Sequence, residues 1–354
     1  MNSLQQDKTT NVVARWIFVG VGMLIVQVLL GGITRLTGSG LSITEWKPLM
    51  GALPPMSETA WQQAFLKYQQ IAQFKYLNQH FGLSDFKFIF FWEWFHRLWA
   101  RFIGIVFLLP FLFFLWKKYF KQWMVAPLVI LFFLGAMQGA VGWIMVKSGL
   151  NDSDVYVSHI RLAIHFMSAM VLICYALIFG LKLTIPSSAI IKNKSLFKGA
   201  IVLIILVSVQ LIYGAFMAGL KAAAAAPTWP SINGVMIPSA GEGSFFQHIF
   251  HEKIIIHFIH RTLAYCIAVA IFIWWWMARQ INQSAPFNKA KNFTLVLVFA
   301  QIVLGILTLL KSPGIVAGKF GAFEWLAEMH QLTGMLLLLS LVTALFLISR
   351  KAAV

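Results

Sequence analysis

Apolar residues gather in eight long runs, near residues 14–33, 93–116, 124–146, 160–181, 198–219, 255–278, 293–311 and 326–348. A helix crossing a bilayer needs roughly 20 such residues, so the pattern predicts eight membrane-spanning helices. The connections between them alternate in character. Lys117, Lys118 and Lys121 fill the second, Lys182, Lys192, Lys194 and Lys198 the fourth, and Arg279, Lys289 and Lys291 the sixth. Arg15 precedes the first run, and Arg350 and Lys351 follow the last. Basic connections stay in the cytoplasm, which predicts cytoplasmic termini and an even number of spans.

The other connections carry nearly all the acids: Glu45, Glu58, Asp85, Asp152, Asp154, Glu242, Glu252 and Glu324. The first of them, about 34–92, is long. Within it Trp61, Phe65, Tyr68 and Ala72 recur at helical spacing, with Gln62, Gln69, Gln70 and Gln73 opposite. That predicts an amphipathic helix lying on the outer membrane surface. The fifth connection, about 220–254, is rich in Ala, Pro and Gly and predicts irregular structure.

Composition agrees with a membrane protein: 60% of the 354 residues are hydrophobic and 11% charged, against about 25% charged in a soluble domain. The net charge of +17 comes from short clusters beside apolar runs, with no basic domain, so nucleic acid is not the expected partner. Cys174 and Cys266 both sit inside apolar runs, which excludes a thiolate metal cluster. The N-terminus lacks the pattern of a cleaved signal, because the first run continues into motif residues.

The runs repeat. Each odd-numbered run carries Gln-x-x-x-Gly near its outer end: Gln27/Gly31, Gln138/Gly142, Gln210/Gly214 and Gln301/Gly305. Each even-numbered run holds a histidine near its outer start: His96, His165, His260 and His330. His96 and His165 are 69 residues apart, His260 and His330 are 70. The expected fold is an all-α polytopic membrane protein of two tandem four-helix bundles, residues 1–183 and 184–354.

Ionisable residues inside a bilayer are functional candidates. Two histidines per half, on helices of the same direction and depth, can approach one flat ligand from both sides, as a bis-histidine haem requires. One such histidine alone would be better explained as a buried, hydrogen-bonded side chain; four in register favour iron ligation. Zinc suits the pattern poorly, since neither half adds a cysteine or a clear carboxylate. The glycines would allow a porphyrin close to the backbone or simply let helices pack. Glu93 precedes His96 by three residues, on the same face. It could serve as a general base or be an acid at the membrane interface. Arg97, Arg101, Arg161 and Arg261 could pair with haem propionates or snorkel to headgroups. His257, one turn before His260, is a competing ligand without a histidine counterpart in the repeat. His159 lies off the face of His165, and His80, His248 and His251 fall in outer connections, where solvation is expected.

At these residues the chain resembles the haem A synthase family. The resemblance rests on GGITRLTGSGLSITEWKPLMGALPP from Gly31 to Pro55 and DFKFIFFWEWFHRLWARFIG from Asp85 to Gly104. VSHIRLAIHF at 157–166, TWPSINGVMIP at 228–238, FIHR at 258–261 and EMHQLTG at 328–334 extend it over nearly the whole chain. The lack of loop cysteines is similar to the proteobacterial and mitochondrial branch. Three positions depart from the family pattern: Ala100 replaces a glycine, Ala222–Ala226 replaces a more polar stretch, and His257 replaces a common glutamine.

The resemblance implies an oxidoreductase of the cell inner membrane. It would convert haem O to haem A for cytochrome oxidase, by two hydroxylations of the C8 methyl and loss of water to leave a formyl group. It implies haem b as cofactor on His260 and His330, with the substrate haem O at His96 and His165, and it makes Glu93 the catalytic carboxylate. Such a reaction needs an electron donor, and a haem O synthase is a candidate neighbour. Two rivals share parts of the pattern. A bis-histidine cytochrome b in electron transfer would share the histidines, and a transporter would share the two-half symmetry.

Overall fold

The computed structural model describes residues 3–45, 50–280, 284–315 and 320–348. Residues 46–49 of the first family motif, and the basic pair Arg350 and Lys351, lie outside them. The described chain is helical with no strands. Eight helices are long and apolar enough to cross a membrane: α1 (Ser3–Leu36), α4 (Leu83–Trp116), α5 (Gln122–Lys147), α6 (His159–Thr184), α7 (Lys194–Gly219), α9 (Lys253–Arg279), α10 (Ala285–Lys311) and α11 (Ala322–Leu347). Three short helices sit in the connections: α2 (Glu58–Tyr68), α3 (Ala72–Leu77) and α8 (Phe245–His251).

The helix starts follow local chemistry. Ser57, Ser158, Asn193 and Ser244 each cap a helix by accepting the backbone N–H three residues on, which satisfies donors that the helix itself leaves free. At the start of α4, the Asp85 carboxylate accepts the Gly82 N–H at 2.9 Å. This start lies at Leu83 rather than near 93. The extra turns carry Phe86 and Phe90, which are buried under the first connection. Glu93 and His96 therefore stand well inside the helix, not at its first turn.

α1 packs on α4 and α6, and α5 on α6; in the same way α7 packs on α9 and α11, and α10 on α9 and α11. The two sets meet where α6 lies against α7, α1 against α11, and α6 against α11. α6 and α11 thus occupy the centre. The largest packed cluster, including Ile17, Leu128, Ile173, Leu196, Ile271 and Met335, fills the ends of the helices that carry the basic connections. Large apolar residues such as Phe133, Val269 and Val296 face outward, as expected where the solvent is lipid. At the basic end Lys117 lies 4.2 Å over the Trp116 ring and Lys182 lies 4.4 Å over Trp123. Such aromatic–cation pairs suit a membrane interface.

The first long connection corrects one expectation. Its amphipathic stretch is two helices, α2 and α3, broken at residues 69–71. Their apolar face packs on protein, with Trp61 at 4.9 Å from Phe90 and Phe65 at 5.2 Å from Phe86 between ring centres. Gln73, expected on the polar side, is 4% exposed. It accepts the Tyr68 hydroxyl at 3.0 Å and donates to the Gly38 carbonyl at 3.4 Å. The break after Tyr68 rotates Gln73 inward, where these partners replace water. The fifth connection is irregular, as expected, apart from a 3-10 turn at Ala222–Ala225 and α8. His80 and His251 are exposed, whereas His248 is half-buried and bonded to Glu252. Cys174 and Cys266 are free thiols.

Candidate functional site

Opposite the packed cluster the two halves enclose a cavity of about 920 Å³. All four repeated histidines line it, with all four repeated glutamines and glycines. Each Gln-x-x-x-Gly forms a seat for one histidine of the neighbouring helix. Gln27 Nε2 stands 3.2 Å from the His96 ring nitrogens and donates to the His96 carbonyl at 3.2 Å. Gln138 Nε2 donates to the His165 carbonyl at 2.9 Å and lies 3.2 Å from Nδ1. Gln210 Nε2 donates to the His260 carbonyl at 3.0 Å, and Gln301 Nε2 lies 3.3 Å from His330 Nε2.

The glycines complete the seats by what they lack. A Cβ at Gly31, Gly142, Gly214 or Gly305 would stand 3.2, 2.8, 3.3 or 2.9 Å from Cε1 of the facing histidine. The space they leave is therefore filled first by an imidazole. The sequence alternatives, porphyrin access or bare helix packing, did not include this one.

The second half fits a bis-histidine iron centre. Two imidazoles bound to one metal at about 2 Å each would hold their ring centres roughly 6 Å apart; the His260 and His330 rings are 6.3 Å apart. Nδ1 of both is buried without a hydrogen-bond partner. Gln27, Gln210 and Gln301 each leave Oε1 buried and unpartnered. Gln301 Nε2 makes no bond to a histidine carbonyl, so a half-turn of its amide would offer the oxygen to a His330 ring N–H, the second partner that metal-bound histidines usually have.

Glu93 is 2% exposed and lines the cavity. Its Oε2 accepts the Ser42 hydroxyl at 2.7 Å and the Ile43 N–H at 2.8 Å, while Oε1 pairs with Arg97 Nη2 at 2.5 Å. Arg97 also donates to the Ile43 and Glu45 carbonyls. Together they fasten the segment after α1 over the first half. Arg261 does the same in the second half, donating to the carbonyls of Ala226, Thr228 and Ser231 at 3.1, 2.7 and 3.1 Å. Arg97, Arg101 and Arg261 line the cavity; Arg161 is not among its lining residues and donates to the Ile144 carbonyl at 3.0 Å. His257 is buried in the cavity wall with both ring nitrogens unpartnered. His159 lies off this face and donates Nε2–H to the Phe250 carbonyl at 2.8 Å.

Several residues of this region carry no signal in the repeat. Arg35 lines the cavity from the end of α1. Glu328 is 1% exposed with both oxygens unpartnered, and it occupies the space left by Gly32 across the interface between halves. Gln331 Nε2 reaches the Val28 carbonyl at 3.3 Å across the same interface. An acid inside an apolar run was the available signal for Glu328.

The halves differ in one wall. Aligning Gln138/Gly142 with Gln301/Gly305 pairs Gly135 with Val298 and Gly139 with Ile302. All four line the cavity, so the first half is cut wider between α4 and α5.

The chain is similar to proteins that carry a name. A protein of Rhodopseudomonas palustris named heme A synthase is 45% identical over 286 residues, 79% of this chain and 78% of its own length. Proteins of the same name from Flavobacterium psychrophilum and Parvibaculum lavamentivorans are 36% and 39% identical, covering 94% and 88% of this chain and 96% and 89% of their own. The family model described as COX15-CtaA, cytochrome oxidase assembly protein, matches residues 14–342. A chain with this match, four seated histidines and eight membrane-length helices belongs to the COX15-CtaA family of cytochrome oxidase assembly proteins.

Proposed function

We propose that this protein is a haem A synthase, a multi-pass membrane oxidoreductase that oxidises the C8 methyl of haem O to a formyl group. The observation that carries the reading is the set of four Gln/Gly-seated histidines, paired by half around one cavity, in a chain whose relatives bear that name. Bacterial relatives and the alternation of basic and acidic connections support an inner-membrane location with both termini cytoplasmic.

The two halves divide the work, 184–354 holding a resident haem b and 1–183 the substrate. His260 and His330 hold the haem b iron, which supplies electron transfer when bound. His96 and His165 hold the substrate haem. Two asymmetries support this assignment. Gly135 and Gly139 leave room where Val298 and Ile302 fill the second half, and haem O is the bulkier ligand because of its farnesyl tail. Glu93 stands beside His96, while the same place beside His260 is a histidine.

Glu93 fixes the 42–45 segment over the pocket through Ser42 and Ile43. Its Oε1 is the oxygen that can take a proton, once Arg97 yields it. Arg97, Arg101 and Arg261 supply positive charge at the cavity for carboxylates. The bilayer and the fastened segments exclude water from the reacting carbon.

The test is to purify the protein, extract its pigment, and identify it by spectrum and mass. Haem b together with haem O or haem A is the expected result. Haem b alone would instead indicate an electron-transfer cytochrome, and absence of haem would indicate a transporter.

A further inference from the structure

The two halves differ in how the cavity wall meets the lipid. Ala100 and Gly104 on α4, and Gly135, Ala136 and Gly139 on α5, line the cavity and are all exposed. Their chain neighbours Phe102, Ile105, Phe133 and Met137 are exposed large apolar residues of the lipid-facing kind. A Cβ at Gly104, Gly135 or Gly139 would meet nothing within 4 Å. α4 and α5 touch little, whereas α9 and α10 pack along each other. At the matching places of the second half Val298 is 3% exposed and Ala264 and Ile302 are half-buried, while Ala268 and Phe299 do not line the cavity. The first half is therefore open along its α4–α5 seam, and the second is closed along α9–α10. Gly104 follows His96 by eight residues, about 12 Å of helix. The opening thus runs from the depth of the histidines toward the middle of the apolar run, where the surroundings are lipid tails.

The outer end of the first half offers no such path. Glu93 and Arg97 fasten the segment after α1 there, through Ser42 and the backbone of Ile43. A ligand with a long apolar tail would also have to bring that tail into water to pass by the outer end, and each methylene so exposed costs free energy. We propose that the α4–α5 seam is the door through which the ligand of His96 and His165 passes sideways between the bilayer and the first half. The closed α9–α10 seam retains the ligand of His260 and His330. Resting on the haem reading above, the passing molecule is a porphyrin with an isoprenoid tail. It reaches the pocket from the hydrocarbon layer, and its oxidised product returns there, without either entering water. One half is built for exchange and the other for retention, a difference that the four similar histidine seats do not show.

The test uses the full-length protein in lipid nanodiscs. Uptake is followed as haem O dissolved in added vesicles reaches the protein, and release as excess apomyoglobin captures what leaves, both by the low-spin spectrum of the bis-histidine complex. Gly104→Phe and Ala136→Phe each place a ring in the seam, the second copying Phe299. A ring that must be pushed aside at each passage predicts about tenfold slower exchange. Uptake and release of haem O should slow together, while haem b stays bound. The double variant Val298→Gly, Ile302→Gly opens the second seam and should release haem b about tenfold faster than wild type. Haem O exchange at the wild-type rate in both phenylalanine variants would overturn the inference. So would unchanged uptake with faster release, which would make these residues contacts of the bound haem and not a door. Haem b release no faster in the double variant would overturn the retaining role of the α9–α10 seam. Wild-type protein that binds no haem would overturn the haem reading itself.

Discussion

Arg97 Nη2 lies 2.5 Å from Glu93 Oε1, and the other carboxylate oxygen is held by Ser42 and Ile43. Glu93 is thus a fastener of the first connection as well as a buried acid three residues before His96 on the same helix. Glu93→Gln keeps the side chain's size and its acceptor for Ser42 and Ile43. Haem b content should be retained while haem A production stops, as measured by pigment extraction. Normal haem A yield from this variant would remove Glu93 from the chemistry.

Gly142 and Gly305 face their histidines most closely. An alanine at either would force an imidazole aside, and overpacking of this kind costs about 1–3 kcal/mol. Gly305→Ala should lower the haem b bound per protein. Gly142→Ala should spare haem b and lower haem A output. Swapped outcomes, read from the same pigment assay, would reverse the assignment of the two halves.

Gln210 holds the His260 carbonyl at 3.0 Å. Gln210→Leu removes that donor, for a loss of about 1 kcal/mol. Faster loss of haem b from the purified protein should follow, with the protein's helical content intact by circular dichroism.

The wider wall of the first half offers a size test. Gly139→Ile copies Ile302 into the first half and should block a substrate with a long tail. Haem O turnover should fall well below wild type while haem b stays bound. A variant that processes haem O normally would show that the extra width is not used.

Tyr68, outside the spanning helices, is pushed up to about 12, first by burial, eased by its bond to Asn78, and raised again by the Glu93 charge. An acid whose folded value is raised adds stability below its unfolded value near 10, and this is lost as pH rises through the folded one. The α2–α3 segment should therefore loosen between about pH 10 and 12. Tyr68→Phe should lack that step when protease sensitivity of this segment is followed against pH.

Much of this molecule is legible in one dimension. Long apolar runs leave no structure but helices in a bilayer, because every backbone polar group must be satisfied within the segment. A repeat of His and Gln-x-x-x-Gly shows in residue numbers alone, since helical spans of equal length carry equal depths at equal spacing. The start of α4 was misplaced because Phe86 and Phe90 are buried by α2, a contact between segments that no local pattern records. Gln73 was placed on the wrong side for a similar reason: a break after Tyr68 ended the periodicity that assigned it.

What the sequence by itself determined was the set of eight membrane-length helices found among the described residues, and one repeated histidine on each even-numbered one. Only the tertiary structure decided that the glycines are seats for imidazoles, that Glu93 and Arg97 hold the connection above them, and that Glu328 lies between the halves against Gly32. Periodicity fixes which face of a helix a residue occupies. Which other helix meets that face depends on packing among segments far apart in the chain.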